Sequence, residues 1–251
     1  MFGVGPMAIE IQEVLRRSEQ GITEPYICRG TDTKLYYVKG KGAGYDSLVK
    51  EWVAGQLARR LGLPIPTFHV VVVPRELYEI GRKESLRDLG HGSLFGSEQV
   101  MNVNELSVLN SDAIPAELKR EIVAFDWWVM NGDRTLTEAG GNPNILWSET
   151  NSQPFIIDHN LAFDTGVTLR SLLESHIFAG SLKEICESSG LQAHYKAKFQ
   201  NALTNWQNIV SDIPERWYYE DDALSVQSRI SIDSIEVTLQ RYQAQAFWKQ
   251  T

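Results

Sequence analysis

Cysteine is nearly absent: Cys28 and Cys186 are the only two in 251 residues. They form no metal-ligand spacing and no disulfide framework, so they read as reduced thiols in a cytoplasmic protein. Basic residues are also the minority, 24 Lys and Arg against 32 Asp and Glu, a net charge of −8. That balance lacks the basic footprint that non-specific nucleic-acid binding needs. Long hydrophobic runs are missing too. The densest, Phe68–Val73, is far too short to span a bilayer and reads as a buried strand. No basic region followed by an apolar segment stands at the N-terminus, so no signal peptide is expected. No internal repeat or low-complexity segment is present. What remains, 43% apolar and 22% charged residues, is the composition of a folded soluble protein. The length suits one large domain or two small lobes sharing a cleft.

Taken in order, the first part of the chain reads as strands. Ile9–Leu15 alternates apolar and polar residues, and Arg16–Gly21 follows as a turn. The runs Pro25–Arg29 and Lys34–Lys39 flank Gly30-Thr31-Asp32-Thr33, a pattern that favours a hairpin. Ser47–Leu61 reads as an amphipathic helix, with Leu48, Val49, Trp52, Val53, Leu57 and Leu61 at spacings of three and four. Gly62 suits its C-terminal cap, and Pro64 and Pro66 forbid continuation. A strand over Thr67–Val73, a polar stretch to His91 and a strand over Ser93–Met101 come next. A helix over Ala116–Met130 then leads into a polar loop. Beyond Phe163 the expected helices are Leu169–Phe178, Leu182–Ser188, Ala193–Val210 and Ser231–Trp248. Strands first and helices last point to an α+β chain.

The stretch Phe125–Phe163 carries the densest chemistry. Its polar loop holds Asp133 and Asn142, and two apolar runs, Ile145–Trp147 and Phe155–Ile157, are separated by the turn-rich Ser148–Pro154. That arrangement predicts an antiparallel hairpin, which sets Asn142–Asn144 beside Asp158 at the end of the second run. Two carboxylates and an amide then converge at one end of a small sheet, a set suited to Mg²⁺, which takes oxygen ligands and shares them with phosphates. Each residue also has an ordinary reading. Asp and Asn dominate turns, a lysine at a strand end such as Lys39 is often solvated, and Glu51, one turn into its helix, suits the dipole of the N-terminal end.

In combination these segments resemble the HipA-like kinase family, specifically its compact branch without the extra N-terminal subdomain. The segments are YYVKG, LVKEWVAGQLARRLGLPIP, FGSEQV, NGDR with NPNILW, and FIIDHNLAF, over residues 16 to 164. The resemblance implies a two-lobed protein-kinase-like fold, with a β-rich N-lobe over 1–101 and a mainly helical C-lobe over 102–251. It implies an ATP- and Mg²⁺-dependent kinase, most simply one acting on Ser or Thr of a protein. Lys39 would contact the α/β-phosphates and Glu51 would hold Lys39. Asp133 would orient and deprotonate the acceptor hydroxyl, and Asn142 and Asp158 would ligate Mg²⁺, with Asn144 as a competitor for Asn142. Gly21, Ile22 and Thr23 fall in the phosphate loop, and Glu98, Val100 and Met101 where a hinge presents backbone groups to adenine. Ser18 and Thr23 are the autophosphorylation candidates. Arg134 would neutralise phosphate or form a structural ion pair, and His159 would pack or hydrogen-bond. The resemblance also implies a toxin-like or regulatory role, with an antitoxin or regulator as partner and translation proteins such as aminoacyl-tRNA synthetases among the targets. A phosphatidylinositol-kinase-like lipid activity and a nucleotide-binding pseudokinase module are the alternatives. Two departures stand out. Thr135–Gly141 lengthens the segment between Asp133 and Asn142 beyond the family's usual spacing, and the phosphate loop is poor in glycine, with Gly21 alone.

Overall fold

A computed structural model describes residues 8–18, 24–81, 86–137 and 140–249. The chain divides into two compact units. The first takes the chain up to Trp52, Pro66–Met101 and Gln207–Ile230; the second takes Val53–Ile65, Asn102–Trp206 and the chain from Ser231 onward.

In the first unit, strands β1 (Ile9–Arg17), β2 (Tyr26–Gly30), β3 (Leu35–Lys39), β4 (Phe68–Val73) and β5 (Gly92–Glu98) form a closed barrel in the order β1-β2-β3-β5-β4. Closure comes from β1, which runs antiparallel to β2 and parallel to β4. Period-two alternation turns Ile11, Cys28, Tyr36, Val38, Val71 and Leu94 inward, all fully buried. The β2–β3 hairpin forms at the expected Gly/Asp turn. There Thr33 adopts φ +68° and Asp32 accepts the Lys34 N–H at 3.2 Å. The segment from the C-terminal part of the chain packs on this unit through its tryptophan. Trp217 is buried, donates Nε1–H to the Ser93 carbonyl at 2.7 Å and meets Trp52 edge-on.

Helix α1 (Tyr45–Arg60) follows β3 after a one-turn 3₁₀ segment, Lys41–Ala43. It ends as expected: Gly62 takes φ +77°, its N–H bonds Arg59 O, and the Leu63 N–H bonds Ala58 O. That reciprocal pair is a Schellman cap. The polar stretch after β4 holds a short helix, α2 (Arg75–Gly81), which no apolar period announces. Strand β5 stops at Glu98, short of the expected Met101. The N–H groups of Glu98 and Gln99 make its last ladder bonds, to Thr67 O and Leu35 O.

The second unit is built on α4 (Ala116–Trp128), which follows the short β6 (Asn104–Glu105) and α3 (Val108–Ser111). Every residue of α4 from Ile122 to Trp128 is buried. Trp128 stacks on Phe199 with centroids 4.3 Å apart and donates to Leu239 O at 2.8 Å. The loop after α4 folds into a hairpin, β7 (Thr135–Thr137) with β8 (Gly140–Asn142). Strands β9 (Ile145–Ser148) and β10 (Gln153–Ile156) form the expected second hairpin, with β6 on the far side of β9. Helices α5 (Leu169–Ser175), α6 (Ala179–Glu187), α7 (Ser189–Ala202), α8 (Trp206–Ser211) and α9 (Ile232–Gln240) complete the chain.

The long helix expected over Ala193–Val210 is therefore two, α7 and α8. Arg60 ends α7 by donating to the carbonyls of Ala202, Thr204 and Asn205 at 2.9, 2.6 and 3.3 Å, and Asn205 turns left-handed at φ +57°. A cation on terminal carbonyls is a favourable helix stop. The expected Ser231–Trp248 helix likewise ends at Gln240, followed by a 3₁₀ turn over Arg241–Gln243. The Arg241 guanidinium there bonds Trp127 O and Trp128 O, closing the end of α4.

Two outcomes follow from this packing. A Cβ added at Gly40 would lie 2.1 Å from Leu89 O and 2.6 Å from its Cα, both backbone atoms. Gly40→Ala should therefore lower stability by about 1–3 kcal/mol in chemical denaturation, and an unchanged midpoint would contradict the close approach. Burial pushes the Cys28 thiol up to about 12. At pH 7.5 native protein should leave Cys28 unmodified by maleimide, read by peptide mass spectrometry, while denatured protein labels fully.

Candidate active site

In the first unit the polar residues of interest meet inside the fold. Lys39 is the last residue of β3, in register with Phe95 of β5, and Glu51 lies in the second turn of α1. The tight Gly40–Gly44 connection returns the chain so that Lys39 Nζ and a Glu51 carboxylate oxygen form an ion pair. Lys39 is 9% exposed and Glu51 3%. Lys39 is thus no solvated strand end, and Glu51 is no surface carboxylate facing a helix dipole. A buried Lys–Glu pair is held by its partner, because either charge alone would carry a large desolvation cost.

The other first-unit candidates are placed as follows. Glu98 forms an ion pair at 2.9 Å with Lys34, the residue just before β3. Val100 and Met101 follow the last ladder bond of β5, in irregular backbone, with Met101 exposed. Ser18 is buried, and its N–H bonds Pro25 O at 2.8 Å. Gly21, Ile22 and Thr23 lie outside the described residues.

In the second unit the chain brings Asp133, Asn142 and Asn144 together. Asn142 and Asn144 both donate from Nδ2 to Asp133 Oδ2, at 2.8 and 3.1 Å, and Asn144 adds a bond to Asp133 O at 3.2 Å. The β7–β8 hairpin is what makes this work. Thr135 pairs with Asn142, which returns Asn142 to the start of the loop. Thr135 Oγ1 also accepts the Asn142 N–H at 3.3 Å. The second hairpin supplies the remaining residue. Ile145 pairs with Ile156, and the Ile157 N–H bonds Asn144 O at 2.9 Å, so Asp158 starts where that ladder ends. Asp158 takes φ +58° and is half-buried, as is Asp133.

Beside these residues lies a buried network that no local sequence pattern announces as a whole. Asp126, fully buried on α4, accepts from Arg134 Nε at 2.7 Å, from Arg134 Nη2 at 3.3 Å and from Asn131 Nδ2 at 2.8 Å. His176, at the end of α5, bonds the same carboxylate from Nε2 at 2.9 Å. His176 Nδ1 accepts the Phe178 N–H at 3.0 Å, which leaves the proton on Nε2 and makes that atom the donor to Asp126. Burial alone would raise the Asp126 carboxyl, but the Arg134 charge and the His176 hydrogen bond reverse it and hold the group well below the usual carboxylate range. Burial likewise pushes the His176 imidazole below its usual value, against the pull of Asp126. Arg134 is therefore a structural ion-pair partner, fully buried, and does not face phosphate. His159, also expected to pack or hydrogen-bond, lies edge-on to Phe125 and 3.4 Å from Arg134 Nη2. One signal for the network was present: Asp126 is the lone charge in the apolar run IVAFDWWVM.

The chemistry available in the second unit is that of hard oxygen donors. With its Nδ2 on Asp133, Asn142 has its Oδ1 for a cation, and Asp158 offers carboxylate oxygens. Such a set suits Mg²⁺ completed by water or phosphate.

The profile of the HipA-like kinase family matches residues 11–251. Among solved structures, the Helicobacter pylori proinflammatory kinase CtkA aligns with a TM-score of 0.47 at 12% identity, over 96% of this chain and 95% of that one. The FAT and kinase domain of CtTel1 aligns at 0.25 and 15% identity, over 94% of this chain and 23% of that one. No curated protein sequence matches. The family match runs from within β1 to the last residue, through every element that carries Lys39, Glu51, Asp133, Asn142 and Asp158, and the chain accordingly belongs to the HipA-like kinase family.

Proposed function

We propose that this kinase transfers the γ-phosphoryl group of ATP, with Mg²⁺, to a Ser or Thr hydroxyl of a protein, within a two-lobed kinase arrangement. The observation that carries the reading is the pair of amide donors on one oxygen of Asp133. They fix the carboxylate and leave its other oxygen, Oδ1, for an acceptor hydroxyl. In this role Asp133 orients the hydroxyl and takes its proton as the O–P bond forms. Lys39, held by Glu51, binds the α/β-phosphates. Asn142 Oδ1 and Asp158 hold the cation, which when bound neutralises charge on the transferring group. The hinge backbone at Glu98, Val100 and Met101 and the phosphate loop at Gly21, Ile22 and Thr23 complete nucleotide binding. The buried ion pair at Lys39 and the hydrogen-bonded Asp133 favour transfer over a binding-only module. The longer segment between Asp133 and Asn142 carries the β7–β8 pairing and leaves Asn142 bonded to Asp133.

Autophosphorylation at Ser18 or Thr23, a toxin-like or regulatory role and an antitoxin or regulatory partner belong to the same reading. Ser18 is buried and its N–H bonds Pro25 O, so its modification requires this residue to become exposed. Among the described residues no helix is long and apolar enough to cross a membrane.

The test is incubation with γ-labelled ATP and Mg²⁺, with and without a protein acceptor such as casein. Label should appear on Ser or Thr and fall at least about 10²-fold in Asp133→Ala and Asp158→Ala. Chelating the metal with EDTA should abolish it. ATP that raises the melting temperature without any transfer would contradict the proposal in favour of a binding module.

A further inference from the structure

The guanidinium of Arg134 is unusual in how completely it is used. It presents five N–H bonds, and all five have acceptors. Nε–H meets Asp126 Oδ2 at 2.7 Å, and Nη2 meets Asp126 Oδ1 at 3.3 Å and His159 Nε2 at 3.4 Å. Nη1 meets Pro143 O at 3.4 Å and also the Asn144 carbonyl. The chain positions of these acceptors matter. Arg134 itself follows Asp133, Pro143 follows Asn142, and His159 follows Asp158. One buried group thus holds the immediate neighbour of each of the three residues assigned to transfer and cation binding.

The geometry points to Asp126 and His176 as positioning residues that act through Arg134 to set the separation of Asp133 from Asn142 and Asp158. This rests on the roles given to those three residues above. Asp126 supplies the countercharge without which the guanidinium would not stay buried. His176 and Asn131 fix the rotation of the Asp126 carboxylate, and hence the direction in which its oxygens meet Arg134. The backbone is pinned on the same side: Thr135 bridges His176, and the Ile177 N–H bonds Arg134 O at 3.0 Å. None of these side chains faces solvent, so none is a catalytic residue. Lysine cannot replace the arginine, because an ammonium has three donors and no planar fork.

The experiment uses the full chain as wild type, Arg134→Lys, His176→Ala and His176→Gln, the last retaining an amide donor toward Asp126. Backbone hydrogen exchange is measured without nucleotide, and kcat and KM for ATP are measured per folded molecule well below each melting temperature. Arg134→Lys should speed exchange selectively over 131–144 and 157–160 and lower kcat by about 10- to 100-fold, with KM for ATP within about twofold. His176→Ala should show a smaller effect of the same pattern, and His176→Gln should return toward wild type. Should Arg134→Lys fail to fold, the two His176 variants carry the comparison. Exchange that is unchanged over 131–144, or that rises evenly across α4, α7 and α9, would overturn the inference and leave the network a stability element alone. A wild type that transfers no phosphate would sink the proposed function, while the exchange pattern still decides the positioning role.

Discussion

The second unit depends on one buried ion pair. Asp126 and Arg134 are both fully shielded from water, eight residues apart across the end of α4. Two charges taken out of water carry a desolvation cost of several kcal/mol each, recovered only where geometry and further hydrogen bonds are good. Here they are: the carboxylate accepts from Arg134, Asn131 and His176, and the guanidinium fills its remaining donors with backbone carbonyls and His159. Loss of either partner leaves an uncompensated buried charge, an effect of about 3–5 kcal/mol. The carbonyls it grips belong to the segment that presents Asn142 and Asn144 to Asp133. Fold stability and site geometry are therefore set by the same contacts.

The added length between Asp133 and Asn142 shows how such a site tolerates insertion. An irregular loop of that length would scatter Asn142 over many positions at the entropic cost of loop ordering. An antiparallel hairpin instead returns its last residue beside its first, whatever its length. Gly141 permits the tight pairing, since a Cβ there would lie 2.6 Å from Thr135 O. With the strands paired, the Asp133–Asn142 hydrogen bond stands at 2.8 Å.

Much of this was legible in the sequence where local pattern and tertiary outcome agree. The barrel strands, α1 with its Gly62 cap, and the β9–β10 hairpin follow from alternation, helical period and turn residues. The backbone bond from Ile157, next to Asp158, to Asn144 O is what that hairpin requires. What the sequence hid was set by distant partners. The break between α7 and α8 comes from Arg60, more than 140 residues away in the chain. The short α2 and the β7–β8 strands lack any apolar period, because they bury little. Asp126 sat in plain view as a charge inside an apolar helix, yet its partners Arg134 and His176 are named only by the fold. Lys39 was ambiguous for the same reason: a lysine at a strand end is buried or solvated according to whether a glutamate from the next helix reaches it.

The most direct test of the proposed cation site is a crystal structure with Mn²⁺ and a non-hydrolysable ATP analogue, the metal located by anomalous scattering. A metal peak is expected within about 2.0–2.3 Å of both Asn142 Oδ1 and an Asp158 oxygen, with Asp133 still bonded to Asn142 and Asn144. Bound nucleotide with its metal on other residues, or with Asn142 turned away from Asp133, would contradict it.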